Sequence, residues 1–264
     1  MPTAEAVYTL ERHRADQLAL RTLLLYEAAT LWPMLDPFRL DETAPAWIQA
    51  MVRLISEQRR RSSAIAIEFY EAYRSYETGL PSPSFRDRID LDDVPREAFE
   101  TSMRTLGPIG IKKRIGLGAF REEAQDKAFV QVAASAARHT LDGARTTTLD
   151  LSKYDDLSVR WARVTGPNPC YFCAMLASRG PVYHTRKTAG DGVNDRFEGK
   201  GLFKFHDNCQ CLIAPVFTEG DDWPGRGREY EQAWQELSRE LGYSPSIQEW
   251  RKFYNERFGP GVED

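Results

Sequence analysis

The sequence predicts an α+β fold that is mostly α. A helical N-terminal region precedes a small module clamped by cysteine and histidine, and a C-terminal helical hairpin follows. Three observations carry this reading. Apolar residues recur at three- and four-residue spacing through most of the first 150 residues. After about Thr146 short runs of β-branched and aromatic residues alternate with turn-forming ones. All four cysteines fall between Cys170 and Cys211, and scattered core cysteines would not cluster in this way. The expected divisions are therefore 1–150, 151–219 and 220–264.

In order along the chain, residues 5 to 32 place Leu20, Leu24, Ala28 and Leu31 at helical spacing. Pro33 and Pro37 then interrupt, and Pro45 is expected in the first turn of a second helix, where a missing N–H costs nothing. Ile48, Val52, Ile55, Ala66, Phe69, Tyr73 and Tyr76 carry that helix to about Tyr76. Its Arg59–Arg61 run reads as a solvated face, with an acidic partner as the alternative. The stretch "GLPSPSF", residues 79 to 85, is a loop by its glycine and proline content. A shorter helix spans Val94 to Leu106, and Gly107, Gly110, Gly116 and Gly118 mark a flexible joint. Residues 119 to 141 form an alanine-rich helix, in which Ala124, Ala128, Ala133, Ala136 and Ala137 permit close helix–helix packing.

The module begins with "LSVRWARV", residues 157 to 164, a strand by its partial alternation. "NPCYFCAMLAS" turns into a short helix, and "RGPVY" and "CLIAPVF" are short strand candidates separated by a polar loop. In the tail, Tyr230, Ala233, Trp234, Leu237 and Leu241 space as a helix that Gly242 is placed to stop. Ser246 and Glu249 suit a capping box for a last helix carrying Ile247, Trp250, Phe253 and Tyr254.

Composition sets limits on function. A formal net charge of -4 over 264 residues gives no bulk drive toward nucleic acid. The most apolar stretch, "LALRTLLLYEAATLWPML", is broken by Arg21 and Glu27, so no membrane span is expected. "MPTAEAVYTLERHR" lacks the order of a secretory signal, which points to folding in cytoplasm.

The cysteines carry the chemistry. Cys170 and Cys173 form C-x-x-C, and "FHDNCQC" supplies His206, Cys209 and Cys211 as H-x-x-C-x-C. Zinc takes four thiolate or imidazole ligands, typically as two short-range pairs from separate turns. Five donors compete for four positions, so one of His206, Cys209 or Cys211 is spare. Disulfides joining Cys170 and Cys173 to Cys209 and Cys211 are the alternative, suited to a particle released into an oxidising exterior. A nucleobase deaminase is excluded, because it needs an upstream His-x-Glu and the nearest histidine, His139, is followed by "TLDG". A thioredoxin-like couple would not need the second pair. A Cys170–His206 nucleophile–base pair is the catalytic alternative to ligands, and Ser135 and His139 stand one helical turn apart by chance. His13 and His184 read as ordinary surface residues.

"WARVTGPNPCYFCAMLASRGPVY", then "FHDNCQCLIAPVF" and "WPGR", resembles the phage Mu F-like head morphogenesis proteins, in the version encoded by tailed phages of actinobacteria. The resemblance covers about residues 155 to 226. It departs at Asp207, where many such proteins have proline. It implies a minor capsid protein acting in procapsid assembly near the portal, in host cytoplasm and then in the virion head. Its implied partners are the portal, scaffold and major capsid proteins, and packaged DNA. Genes of this type are often labelled capsid maturation protease, which is the alternative activity. Arg179, Arg186, Lys187, Arg196, Lys200 and Lys204 surround the site and suit either a solvated loop or DNA phosphates. A nuclease or DNA-binding module of treble-clef type is a third reading.

Overall fold

The first helix, α1 (Ala4–Leu31), closes in a short 3-10 turn at Trp32–Met34 that contains Pro33. The computed structural model describes residues 3–158, 160–181, 205–217 and 224–259. It is mostly helical, with one small antiparallel sheet, as the sequence predicts. Helix α2 (Leu40–Thr78) starts before its proline, so Pro45 lies inside the helix rather than in the first turn. The start is moved upstream by Asp36, whose Oδ1 accepts from Phe38 N at 2.8 Å and whose Oδ2 accepts from Arg39 Nε at 3.0 Å. Pro45 is solvent-exposed, so the one carbonyl it leaves without a helical donor stays within reach of water.

Helix α3 (Arg96–Arg104) does not stop at a glycine joint. It runs through a π turn (Thr105–Ile109) directly into α4 (Gly110–Gly116). Gly107 is there for space, because a Cβ on it would stand 2.6 Å from the Trp47 ring. Helix α5 (Arg121–Tyr154) also outruns its expected end near residue 141. Gly143 sits within it and does not break it, since a Cβ at this position would stand 2.6 Å from the Arg59 carbonyl of α2. Two further bonds fix that close crossing. Arg59 Nη1 donates to the His139 carbonyl at 2.7 Å, and Ala144 N donates to Ser62 Oγ at 3.0 Å. Arg59 is accordingly buried, which corrects its reading as part of a solvated run. Arg60 pairs with Asp92 and the exposed Arg61 with Glu57.

Beyond α5 the described residues form β1 (Arg160–Val164), α6 (Tyr171–Ala177), β2 (Leu212–Val216), α7 (Gly227–Leu241) and α8 (Ile247–Phe258). β1 and β2 pair antiparallel, with Arg160 opposite Val216 and Val164 opposite Leu212. Of the expected "RGPVY" strand, Arg179 to Pro181 are not extended in a sheet, and the remainder lies outside the described residues. Gly242 caps α7 at φ 75°, and Ser246 with Glu249 closes the capping box of α8. The tail is a helical hairpin, as expected.

Two compact units emerge, each drawing on separated stretches. One comprises Asp16–Ile65 and Asp90–Ala144. Its core joins Leu24, Trp47, Met51 and Ile55 to Phe99, Met103 and Val132, all fully buried or nearly so. Each such side chain contributes ~1.5–3 kcal/mol by leaving water. The other unit comprises Met1–Ala15, Ala66–Ile89 and Arg145–Asp264. There Ala6, Leu10, Phe69, Tyr73, Val164 and Ala214 form one small core cluster. Nearby, Asp155 is buried and accepts from Arg74 Nε at 2.9 Å and from Tyr70 Oη at 3.1 Å.

Candidate metal centre

The first knuckle is built by the start of α6. Cys170 is its N-cap residue, and Cys170 Sγ accepts from Cys173 N at 3.4 Å. That local bond draws both sulfurs to one side of the turn. The backbone around it is held by α8: Tyr254 Oη donates to the Pro169 carbonyl at 2.7 Å, and Trp250 Nε1 donates to the Tyr171 carbonyl at 2.8 Å. The C-terminal hairpin therefore positions the C-x-x-C pair, a role its sequence did not announce.

The second knuckle is a tight turn over His206–Cys209, closed by Cys209 N donating to the His206 carbonyl at 3.1 Å. Asn208 takes φ 66°, a left-handed conformation that Asn tolerates better than most residues. Asp207 thus stands in a well-formed turn despite the absence of proline. Arg145, fully buried on α5, secures the strand entry with two bonds. Its Nε donates to the Cys211 carbonyl at 2.9 Å, and its Nη2 donates to the Cys209 carbonyl at 2.7 Å.

All five predicted donors come together. Cys170, Cys173 and His206 place their ligand atoms within 4.8 Å of one another, as do Cys173, Cys209 and Cys211. Cys173 belongs to both groups. His206 Nε2 lies 3.2 Å from Cys170 Sγ and 3.5 Å from Cys173 Sγ, and Cys173 and Cys209 sulfurs are 3.5 Å apart. A tetrahedron with Zn–S bonds of ~2.3 Å has sulfur–sulfur edges of about 3.8 Å, so these separations fit a zinc ion within a few tenths of an ångström. The imidazole is oriented for the task. Its Nδ1–H donates to the Asp207 carbonyl at 2.6 Å, leaving Nε2 to face the sulfurs. The four cysteines are free thiols, with no sulfur pair at bonding distance.

The electrostatics favour anionic sulfur at two positions. Cys170 is brought down to about 5 by its hydrogen bond with Cys173, helped by His206 and opposed by burial. Cys209 is held well below the usual thiol range by hydrogen bonds from Cys173 and Cys211, with the Arg145 and Arg163 charges adding to them. Cys173 and Cys211 are pushed up, being the partners that keep their protons. Burial works against the charged imidazole of His206, yet contact with Cys170 and the Cys209 charge lift it to about 9. The guanidinium groups of Arg145 and Arg163 each lie 3.9 Å from the centre of the buried Phe205 ring. Two buried cations beside a thiol cluster offset the negative charge that a zinc–thiolate centre carries.

Other residues singled out by the sequence fall elsewhere. Ser135 and His139 are both buried, and His139 Nε2 shares a hydrogen bond with Ser102 Oγ at 2.9 Å. His13 is buried rather than on the surface, stacked on Phe69 with ring centres 4.2 Å apart, because the apolar face of α1 runs through it. His184 and the basic residues Arg186, Lys187, Arg196, Lys200 and Lys204 lie outside the described residues, and Arg179 is exposed. Sequence reasoning missed Arg145, Arg163, Trp250 and Tyr254. The last two were visible as periodic aromatics, and nothing local marked the arginines.

Compared with known proteins, residues 4–237 match a family model described as VG15 protein. That stretch takes in the long helices and both knuckles. The chain is 26% identical over 221 residues to "Gene 15 protein" of Mycobacterium phage D29, covering 74% of this chain and 76% of the relative. It is also 26% identical over 230 residues to "Gene 15 protein" of Mycobacterium phage L5, covering 74% of each. No solved structure matches. No described helix is long and apolar enough to cross a membrane.

Proposed function

The chain belongs to the VG15 protein family, a family of phage proteins, and from that premise we propose that it is a head morphogenesis protein of the phage Mu F-like type. In this reading it is a minor capsid protein that acts in procapsid assembly near the portal, contacting portal, scaffold and major capsid proteins and ending in the virion head. The supporting observation is the pair of knuckles, whose five donors converge within the very segment that resembles head morphogenesis proteins. The centre is structural. Zinc held by Cys173 with Cys170, Cys209 and either His206 or Cys211 would staple a module whose sheet has two strands among the described residues.

Two experiments test this. Deleting the gene from the phage should give defective or empty heads by electron microscopy, with infectivity restored by the wild-type copy and not by a Cys173→Ala copy. Normal infectious particles from the deletion would remove the assembly role. Elemental analysis of protein purified under reducing conditions should find about one zinc per chain. Metal-free protein that stays fully folded in chelator would remove the zinc.

The capsid maturation protease reading has one observation in its favour. Cys170 Sγ and His206 Nε2 stand at a nucleophile–base distance of 3.2 Å. Co-expression with the major capsid protein would then shorten that protein, and Cys170→Ala would abolish the shortening. The same thiol cannot both hold the metal and attack a peptide, so zinc content and processing should exclude one another.

A further inference from the structure

Away from the metal centre, the unit formed by Asp16–Ile65 and Asp90–Ala144 carries a groove of about 790 Å3. Its floor is apolar. Ala44, Ile48 and Val52 line it from α2 at helical spacing, and Pro108 and Ile109 line it from the π turn. The π turn is part of the wall itself, and such turns recur at functional sites because the extra residue re-aims the local side chains. Ile109 is exposed there at 49%.

The groove is electrically asymmetric along its length. The two walls run antiparallel, since Lys112 of α4 pairs with Asp41 near the start of α2 while Asp92, just ahead of α3, pairs with Arg60 further along α2; Arg53 and Arg96 line the groove toward that second end. Arg104 pairs with Glu100 on the wall. The side chains of Arg53 and Arg96 are exposed and make no ion pair or hydrogen bond among the described residues; Glu97 is the unpaired carboxylate beside them. The Arg53 end is thus left with a net positive charge.

The other end is apolar. Just beyond the Asp41–Lys112 pair along either chain segment stand Phe38, Leu117 and Phe120, exposed at 78%, 79% and 83%. No other large hydrophobic side chain among the described residues is as exposed. The Arg121 guanidinium lies 4.5 Å from the centre of the Phe38 ring, which gathers this patch together. Nucleic acid would call for walls of one charge, and here Asp41, Glu97 and Glu100 stand among Arg53, Arg96, Arg104 and Lys112. An apolar floor with a greasy lip at one end and spare arginines at the other suits an amphipathic helix.

We propose that this groove docks one helix of a partner protein, apolar on the face that meets Ile48, Val52 and Ile109 and acidic at the end that meets Arg53 and Arg96. Asp41 to Arg53 span ~18 Å of helix, so the occupant is about three turns long. The inference does not rest on the metal centre or on the head-assembly reading.

Fluorescence anisotropy on the full chain tests it with two labelled peptides of about 14 residues. Both carry leucine at i, i+3, i+4, i+7 and i+11. One ends in glutamates and the other in lysines. The glutamate peptide should bind about tenfold more tightly than the lysine peptide. Arg53→Glu with Arg96→Glu should invert that preference, and Ile109→Asp should weaken both peptides by about tenfold. All three positions are exposed, so circular dichroism should stay unchanged. Equal binding of the two peptides, or binding indifferent to these substitutions, would overturn the proposal. So would displacement of the peptide by duplex DNA, or a self-associated chain in sedimentation that Ile109→Asp converts to monomer, which would make a second copy the occupant.

Discussion

Arg145 illustrates how one side chain binds distant sequence into the candidate centre. Fully buried, it satisfies the Cys209 and Cys211 carbonyls at once. Arg145→Met keeps most of the volume and removes both donors, so stability should fall by ~3 kcal/mol in urea denaturation. Zinc affinity should drop about tenfold or more, because outer partners orient ligands. The ligands themselves were legible, since thiolate pairs must come from short turns and short turns show as spacing. Arg145 was not legible, because a bond from α5 to a turn some sixty residues later leaves no local periodicity. His13 makes the same point from the other side. A lone histidine near the start of a chain reads as surface, yet burial against Phe69 lowers its pKa to about 3. The unfolded chain takes up that proton near pH 6.5 and the folded chain refuses it until about pH 3. Stability from the neutral ring is therefore complete above pH 6.5 and declines as pH falls, by about 1.4 kcal/mol per pH unit through that window. His13→Phe should flatten this part of the pH–stability profile; parallel profiles for the two proteins would rule the effect out.

At the scale of elements, caps and apolar stripes were readable and helix ends were less so. Gly242 and the Ser246–Glu249 box are local chemistry, and they fall where the sequence places them. Ser246→Ala should cost about 1 kcal/mol, measured by the thermal midpoint at matched concentration. The end of α5 was misjudged because glycine inside a helix normally weakens it. Here the missing side chain admits the α2 backbone, and that contact lies in another part of the sequence. Gly143→Ala should accordingly destabilise by ~1–3 kcal/mol, although alanine is the better helix former. A gain in stability would show that the two helices can part without cost. The joint expected at Gly107 failed for a similar reason, since the Trp47 ring occupies the space that a side chain there would need.

For the molecule as a whole, α+β with a dominant helical share followed from period and composition. The division into two interleaved units did not, because it depends on pairings such as Arg74 with Asp155 that only a folded chain reveals. Two units with separate cores predict two calorimetric transitions rather than one. A chelator should lower the midpoint of the transition that holds the knuckles and leave the other in place. A chelator that shifts neither would leave the centre without a structural metal. Comparing His206→Ala with Cys211→Ser then identifies the spare donor, since its replacement alone should leave the chelator response and zinc content intact.

The small core of Ala6, Leu10, Phe69, Tyr73, Val164 and Ala214 also bears on inheritance. Phages exchange genes by recombination, and a single crossover joins the front of one gene to the back of another. Any breakpoint between Leu10 and Val164 would ask side chains from two parents to interlock in that cluster. Between parents as diverged as the 26% identical relatives, few such joints would pack. Segments of this gene should therefore travel together, and natural mosaics should break at its edges.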